Sequence, residues 1–252
     1  MSLSVSLSRR VPWQGPLLGT GVAIAALLLW LLVSSLTPYI ASPGSTLSAI
    51  AEGVRSGFLT SAARASLSAT LAGFALASAV SLGLSYMLAA NSFLGKVFTP
   101  VLHSYGSLPH IIFLPILLMV FGTGTSSKVA MAALVAVFPM TVNMIGGLAA
   151  VPRTWLKMGR VSGGSRLRVI AKVHVRGALP SMLVGLRLGF GSAFLAVVIS
   201  EFFGSDSGLG VAMAAAYGSL DYAKLSAVVV MTLLISLLGN SVIRLVERRL
   251  DT

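Results

Sequence analysis

The feature that most constrains this chain is the recurrence of apolar runs long enough to cross a bilayer. A hydrocarbon core about 30 Å thick takes roughly 20 apolar residues as a helix. Six runs meet that length: Leu17–Thr37 (LLGTGVAIAALLLWLLVSSLT, ended by Pro38), then about Ser66–Asn91, Val97–Phe121, Val129–Ala150, Ser181–Phe203 and Leu225–Val246. The third is interrupted by Pro100, Pro109 and Pro115. Only 10% of the 252 residues are charged and 56% are hydrophobic, against about 25% charged in a soluble domain. The expected fold is an all-α integral membrane bundle of six transmembrane helices. The first run follows Arg9 and Arg10 as a signal peptide would, but it is long for one and no small-residue cleavage site closes it. It is read as a span of the mature chain.

The net charge of +12 is explained by where the charges fall. With the N-terminus inside, the inner segments hold Arg9, Arg10, Lys96, Arg153, Lys157, Arg160, Arg166, Arg168, Lys172, Arg176, Arg244, Arg248 and Arg249. The outer segments hold Arg55, Arg64, Lys128 and Lys224, with the acids Glu52, Asp206 and Asp221. Arg187, early in the fifth span, reads as snorkelling inward. This positive-inside asymmetry predicts that both termini are cytoplasmic. It leaves no soluble basic surface for nucleic acid. With no cysteine and three histidines lacking ligand-like spacing, neither thiolate chemistry nor a metal site is expected.

The outer segments are short. Leu47, Ile50, Val54 and Phe58 recur at helical spacing, so an interfacial helix is expected there. Gly204–Lys224 reads as a turn and then a short apolar helix. With no linker or repeat, one membrane domain over residues 1–252 is the simplest organisation.

The sizeable inner segment between spans is Ala150–Pro180. Pro152 suits the first turn of a helix, Arg153–Ser162 reads as that helix, and Gly163 and Gly164 end it. Ser165 is placed to cap a second helix. In it Leu167, Ile170, Ala171, His174 and Ala178 share one face, Arg168, Lys172 and Arg176 another, and Pro180 marks the join to the fifth span. A basic amphipathic loop resting on anionic headgroups has this charge pattern too. Headgroups, however, require no central glycine pair, and a projecting helical hairpin suits a groove on a soluble partner.

Within the spans, Gly185 and Gly189 form a GxxxG pair, read as close helix packing within the subunit ahead of packing across a dimer. Glu201 is the carboxylate inside a predicted span. It is read either as a gate or solute contact or as an acid facing water near the outer end. Asn143 is read as a pore contact or, in preference, an interhelical hydrogen bond. His103 and His110 read as packed or interfacial residues rather than a proton relay. The prolines of the third span kink it, and such backbone either lines a cavity or is a static bend.

Together these residues resemble the permease subunits of bacterial binding-protein-dependent ABC importers. The inner loop is similar to that family's EAA loop: Lys157, Met158 and Gly159 stand at the Glu-Ala-Ala positions, Gly163 is the glycine four residues on, and Ala178-Leu179-Pro180 closes the pattern. SLPHIIFLPILLMVFGTG, FPMTVNMIGGL and EFFGSDSGLG resemble the branch that serves sulfonates, taurine and nitrate. The resemblance spans about residues 61–249. It implies a type I importer permease bundle in the bacterial cytoplasmic membrane, pairing with a second permease subunit, ordinarily a copy of itself. It further implies two ATPase subunits and an external binding protein that delivers a small organic or inorganic solute.

The resemblance makes residues 151–180 the coupling loop. Lys157, Met158, Gly159, Arg160, Ser162, Gly163, Gly164, Ser165, Arg166, Leu167 and Ile170 would then meet the ATPase. Lys157 replaces the family's glutamate, and Arg176 a proline common in the branch. A compensating change on the ATPase and a weaker coupling both accommodate this. The chain carries no Gly-x-x-x-x-Gly-Lys-Ser/Thr, since Gly95-Lys96 is followed by Val97. It is expected to be no enzyme and to hold no cofactor, with ATP and Mg used by the partner ATPase. The competing class is a self-sufficient secondary transporter or channel, which ordinarily needs coupled ionisable groups within its spans.

Overall fold

The computed structural model describes residues 14–250. These form helices α1 (Gln14–Leu36), α2 (Pro43–Arg55), α3 (Phe58–Ala90), α4 (Ser92–Gly106), α5 (Leu114–Phe121), α6 (Thr125–Ala150), α7 (Arg153–Val161), α8 (Arg166–Val169), α9 (Val175–Gly204), α10 (Leu209–Gly218) and α11 (Tyr222–Leu250). There is no strand among the described residues. Arg9 and Arg10 lie outside them.

Among the described residues, four helices have the length and composition to cross a membrane: α3, α6, α9 with the turn before it, and α11. A fifth crossing is available if α4 and α5 are one broken span. The predicted third span is this pair, bent by 92°. The cause is local. Ser107–Pro109 interrupts the hydrogen-bond ladder, a 3₁₀ turn His110–Phe113 follows, and Pro115 sits in the first turn of α5, where its missing N–H costs nothing. Pro100 remains inside α4. The first predicted span is α1, an apolar helix whose described surface is mostly exposed. The second begins eight residues earlier than its apolar run, at Phe58, because Gly57 at φ +76° turns the chain out of α2.

The core is α3, α6 and α9, with α6 and α9 the most extensively packed pair. Small side chains set its spacing. Ala69, Ala77, Ala132, Ala136 and Ala193 are all fully buried, and glycines lie at the closest crossings. A methyl group on Gly185 would stand 3.2 Å from the Met140 carbonyl oxygen and 3.0 Å from Asn143 Cβ, and one on Gly189 would overlap the Met140 side chain. The GxxxG pair thus faces α6 of the same chain. Without a hydrophobic drive between helices in lipid, such close backbone approach supplies the dispersion contact that holds them.

A second apolar cluster joins Leu59, Phe194, Val198, Leu209 and Val228, and so ties α10 and α11 to the bundle. α2 is the expected interfacial helix, N-capped by the Ser42 hydroxyl and ended before Phe58. The outward face of α11 carries Leu233, Leu234, Leu237 and Leu238, all exposed.

Candidate functional site: a glycine-locked hairpin and a sealed charge cluster

α6 ends at Ala150 and α9 begins at Val175, and the chain between them folds into a tight hairpin. Its first arm is α7. The end of α7 is a Schellman turn: Gly164 N donates to Gly159 O (3.1 Å) and Gly163 N to Arg160 O (3.1 Å), with Gly163 at φ +77°. Only glycine takes that backbone at little cost. Gly159 and Gly164 have a second role. A methyl on either would come within 3.2 Å and 3.0 Å of Val169 Cγ2, so both make room for Val169, which is 5% exposed. The turn is filled by a residue from the opposite arm.

The second arm is α8, then a single π turn over Ile170–His174, then α9. No break occurs at Pro180, contrary to the sequence expectation. Pro180 lies inside α9, and the arm and the span are one helical rod. The π turn inserts a residue into the helical register, with Val175 N donating to Ile170 O. The expected apolar stripe is shifted by it: Val169 is buried, while Ile170 and His174 are half-buried. His174 Nε2 lies 3.0 Å from Leu148 O. That carbonyl belongs to the last turn of α6, where Pro152 has no N–H to give it.

Of the residues expected to meet a partner, Lys157, Met158, Arg160, Ser162, Gly163 and Ser165 are exposed, and Gly159, Gly164 and Ile170 are half-buried. The side chains of Arg166, Leu167 and Ala171 lie outside those described, as does that of His103. Sequence reasoning passed over Trp155 and Val161. With Met158 they form an apolar stripe at i, i+3, i+6 on α7, exposed by 53%, 66% and 89%.

The opposite end of α6, about 33 Å away along the helix, holds a buried ion pair. Glu201 and Lys128 are each 1% exposed, with Lys128 Nζ 3.8 Å from Glu201 Oε1. Glu201 Oε2 accepts from Ser66 Oγ (2.7 Å) and from Gly210 N (3.1 Å), and Ser66 Oγ in turn accepts from Leu209 N (2.8 Å). Gly208 offers no capping side chain, so the first N–H groups of α10 are satisfied by a carboxylate from α9 and a hydroxyl from α3. Lys128 Nζ donates to Ser207 O (2.8 Å) and Oγ (3.1 Å) and stands 3.8 Å from Asp206. The Ser207 hydroxyl, more than the Lys128 charge, holds the exposed Asp206 below the usual carboxylate range.

Of the two readings of Glu201, the one that has it facing water is corrected: it is buried, and the outer-segment cation Lys128 is buried with it. An acid in a span called for a cation, and Lys128 flanked a span at the same end, which was the available signal. Arg187 Nη1 lies 3.1 Å from Glu247 Oε2. Among the described residues the hydrogen bond of Asn143 is within α6, not between helices: its Nδ2 donates to Pro139 O (2.8 Å). His110 packs edge-on against Tyr105. No grouping of three or more His, Cys, Asp or Glu residues with metal-site geometry occurs among the described residues.

Apolar helices bundled on small-residue seams, with a hairpin at one end, define a multi-pass membrane bundle. Its fold resembles a chain of the MetNI methionine ABC transporter in an inward-facing conformation (TM-score 0.64, 17% identity, 74% of this chain and 93% of that one). The family described as "Binding-protein-dependent transport system inner membrane component" matches residues 79–252. The chain belongs to that family: it is a permease subunit of a binding-protein-dependent ABC importer, a multi-pass inner-membrane component. Among its relatives, the riboflavin transport system permease protein RibX of Chloroflexus aurantiacus is 31% identical, over 95% of this chain and 92% of the relative. The putative aliphatic sulfonates transport permease SsuC of Bacillus subtilis is 28% identical (96% and 88%), and the taurine transport system permease TauC of Escherichia coli 27% (96% and 94%). With the nitrate import permease NrtB of Synechococcus elongatus, these relatives match the branch the sequence resembled.

Proposed function

We propose that this permease, as one domain over residues 1–252, forms half of a translocation pathway and is driven through the α7–α8 hairpin. The hairpin docks in a groove of an ATPase subunit, one per permease chain in a homodimer, and both termini face the cytoplasm. A binding protein outside delivers a small organic or inorganic solute, and ATP and Mg are used by the ATPase. The observation that carries this reading is an exposed Trp155–Met158–Val161 stripe on a hairpin whose second arm is continuous with α9. Such a stripe supplies apolar anchors for a groove, and Lys157 and Arg160 beside it supply charge.

Closure of the ATPase dimer then moves a lever that does not bend at its fulcrum. The Schellman turn, Val169 and the His174–Leu148 contact lock the two arms to α6 and α9. The motion passes into the bundle as a rigid-body rotation that opens the pathway to one side or the other. At the far end, the Lys128–Glu201–Ser66 cluster joins α3, α6, α9 and α10, so Glu201 serves as a brace that keeps the moving helices together rather than as a solute contact. Asn143, packed by Gly185, holds the α6–α9 seam.

The test is reconstitution with the ATPase and binding protein in vesicles. Gly163→Leu is expected to insert normally yet lose solute-stimulated ATP hydrolysis. Normal transport by that variant would rule out the lever.

A further inference from the structure

A cavity of about 310 Å³ opens between α2 and the first turns of α3 and α11, at the end of the bundle away from the hairpin. It is at the lower end of the size range of ligand pockets, ~300–1,000 Å³. Its polar lining is Glu52, Asp221, Lys224 and the hydroxyl-bearing Ser45, Ser48 and Ser56. Both signs of charge are present, yet they do not neutralise one another. Among the described residues neither Glu52 nor Asp221 is within salt-bridge distance of Lys224. The Lys224 ammonium instead lies over the Phe58 ring, 4.6 Å from its centroid. Asp221 Oδ1 accepts from Lys224 N at the start of α11, which leaves its other oxygen free. A cavity that keeps opposite charges apart suits a ligand that carries both.

Its surroundings set the depth. Tyr222, whose neighbours Asp221 and Ala223 line the cavity, stacks edge to face with Tyr39, ring centroids 5.7 Å apart, and tyrosines collect at the level of lipid headgroups. Leu47, between the lining residues Ser45 and Ser48 on α2, is exposed, and the exposed leucines Leu233, Leu234, Leu237 and Leu238 follow the lining residue Ala227 along α11.

We propose that this cavity binds the phosphoethanolamine headgroup of a membrane lipid, with the acyl chains lying along α11. The primary ammonium has three N–H donors for Glu52, Asp221 and a serine hydroxyl. The phosphate meets Lys224, beside the positive end of α11. A choline headgroup has no N–H to donate, and a glycerol headgroup brings no cation for the two carboxylates. The inference is independent of the proposed coupling to an ATPase.

Native mass spectrometry of the permease, purified in its natural assembly and offered phosphatidylethanolamine, phosphatidylcholine and phosphatidylglycerol with identical chains, tests it without any variant. Phosphatidylethanolamine is expected to be retained about tenfold over the other two, the factor of one charge-assisted hydrogen bond. Glu52→Gln and Lys224→Met, both at exposed positions, are each expected to reduce that retention by about the same factor while the assembly elutes unchanged. Equal retention of the three lipids, or unchanged retention by E52Q, would overturn the proposal. So would displacement of the lipid by equimolar O-phosphoethanolamine, which would make this a site for a soluble zwitterion.

Discussion

His174 Nε2 stands 3.0 Å from the carbonyl oxygen of Leu148, the acceptor that Pro152 leaves without its helical donor. One imidazole thus closes the end of α6 and pins the π turn of the hairpin to it. Replacing His174 with Phe keeps an aromatic body but orphans that carbonyl, at a cost of about 1–3 kcal/mol. The expected outcome is faster amide exchange across residues 148–161 with the bundle core unchanged, and partial rescue by His174→Gln. Unchanged exchange in H174F would remove this contact from the coupling account.

The Lys128–Glu201 pair is buried from both sides. Breaking such a pair by removing one partner leaves an uncompensated charge, worth about 3–5 kcal/mol. Lys128→Met and Glu201→Gln are each expected to lower the thermal midpoint of the detergent-solubilised permease sharply. The double variant is expected to be more stable than the sum of the two losses implies. Strict additivity would mean that the two charges do not hold each other.

Gly189 leaves the space that Met140 fills. Gly189→Leu overpacks the α6–α9 seam, with an expected loss of about 1–3 kcal/mol. Adding Met140→Ala should recover part of it, because the side chain that obstructs the new residue is then gone. Failure of that rescue would place the strain elsewhere.

Val169 fills the glycine turn from across the hairpin. Val169→Ala removes two methyl groups from a buried site, an expected loss of about 1–2 kcal/mol by area. It should loosen the hairpin selectively, read as faster proteolysis near Gly163 without loss of insertion.

Four of the six predicted spans, and a fifth as the bent α4–α5 pair, were readable because apolar length is a composition signal that neighbours do not alter. The hairpin was readable for a similar reason: Gly163 and Gly164 stop a helix by backbone chemistry alone. Two things were not. Pro180 suggested a junction, but it lies inside α9, where α6 packs closely against the neighbouring Ala178 and Ser181 at Gly147. The burial of Glu201 is not legible because its partners, Lys128 and Ser66, are distant in sequence and come together only when α3, α6 and α9 pack. Asn143 illustrates the same limit in reverse. Its partner was sought on another helix and lies one turn back, at the Pro139 carbonyl.

The exposed face of α7 carries the proposed docking to the ATPase. The chain has no cysteine, so a cysteine introduced at Met158 or Val161 is the only thiol. Cross-linking from these positions in native membranes, with a short thiol-to-amine reagent, tests the docking directly. The result expected is an adduct with an ATP-hydrolysing subunit from both M158C and V161C, and none from L237C on the outward face of α11. Adducts with that subunit from L237C alone, or from none of the three, would contradict it.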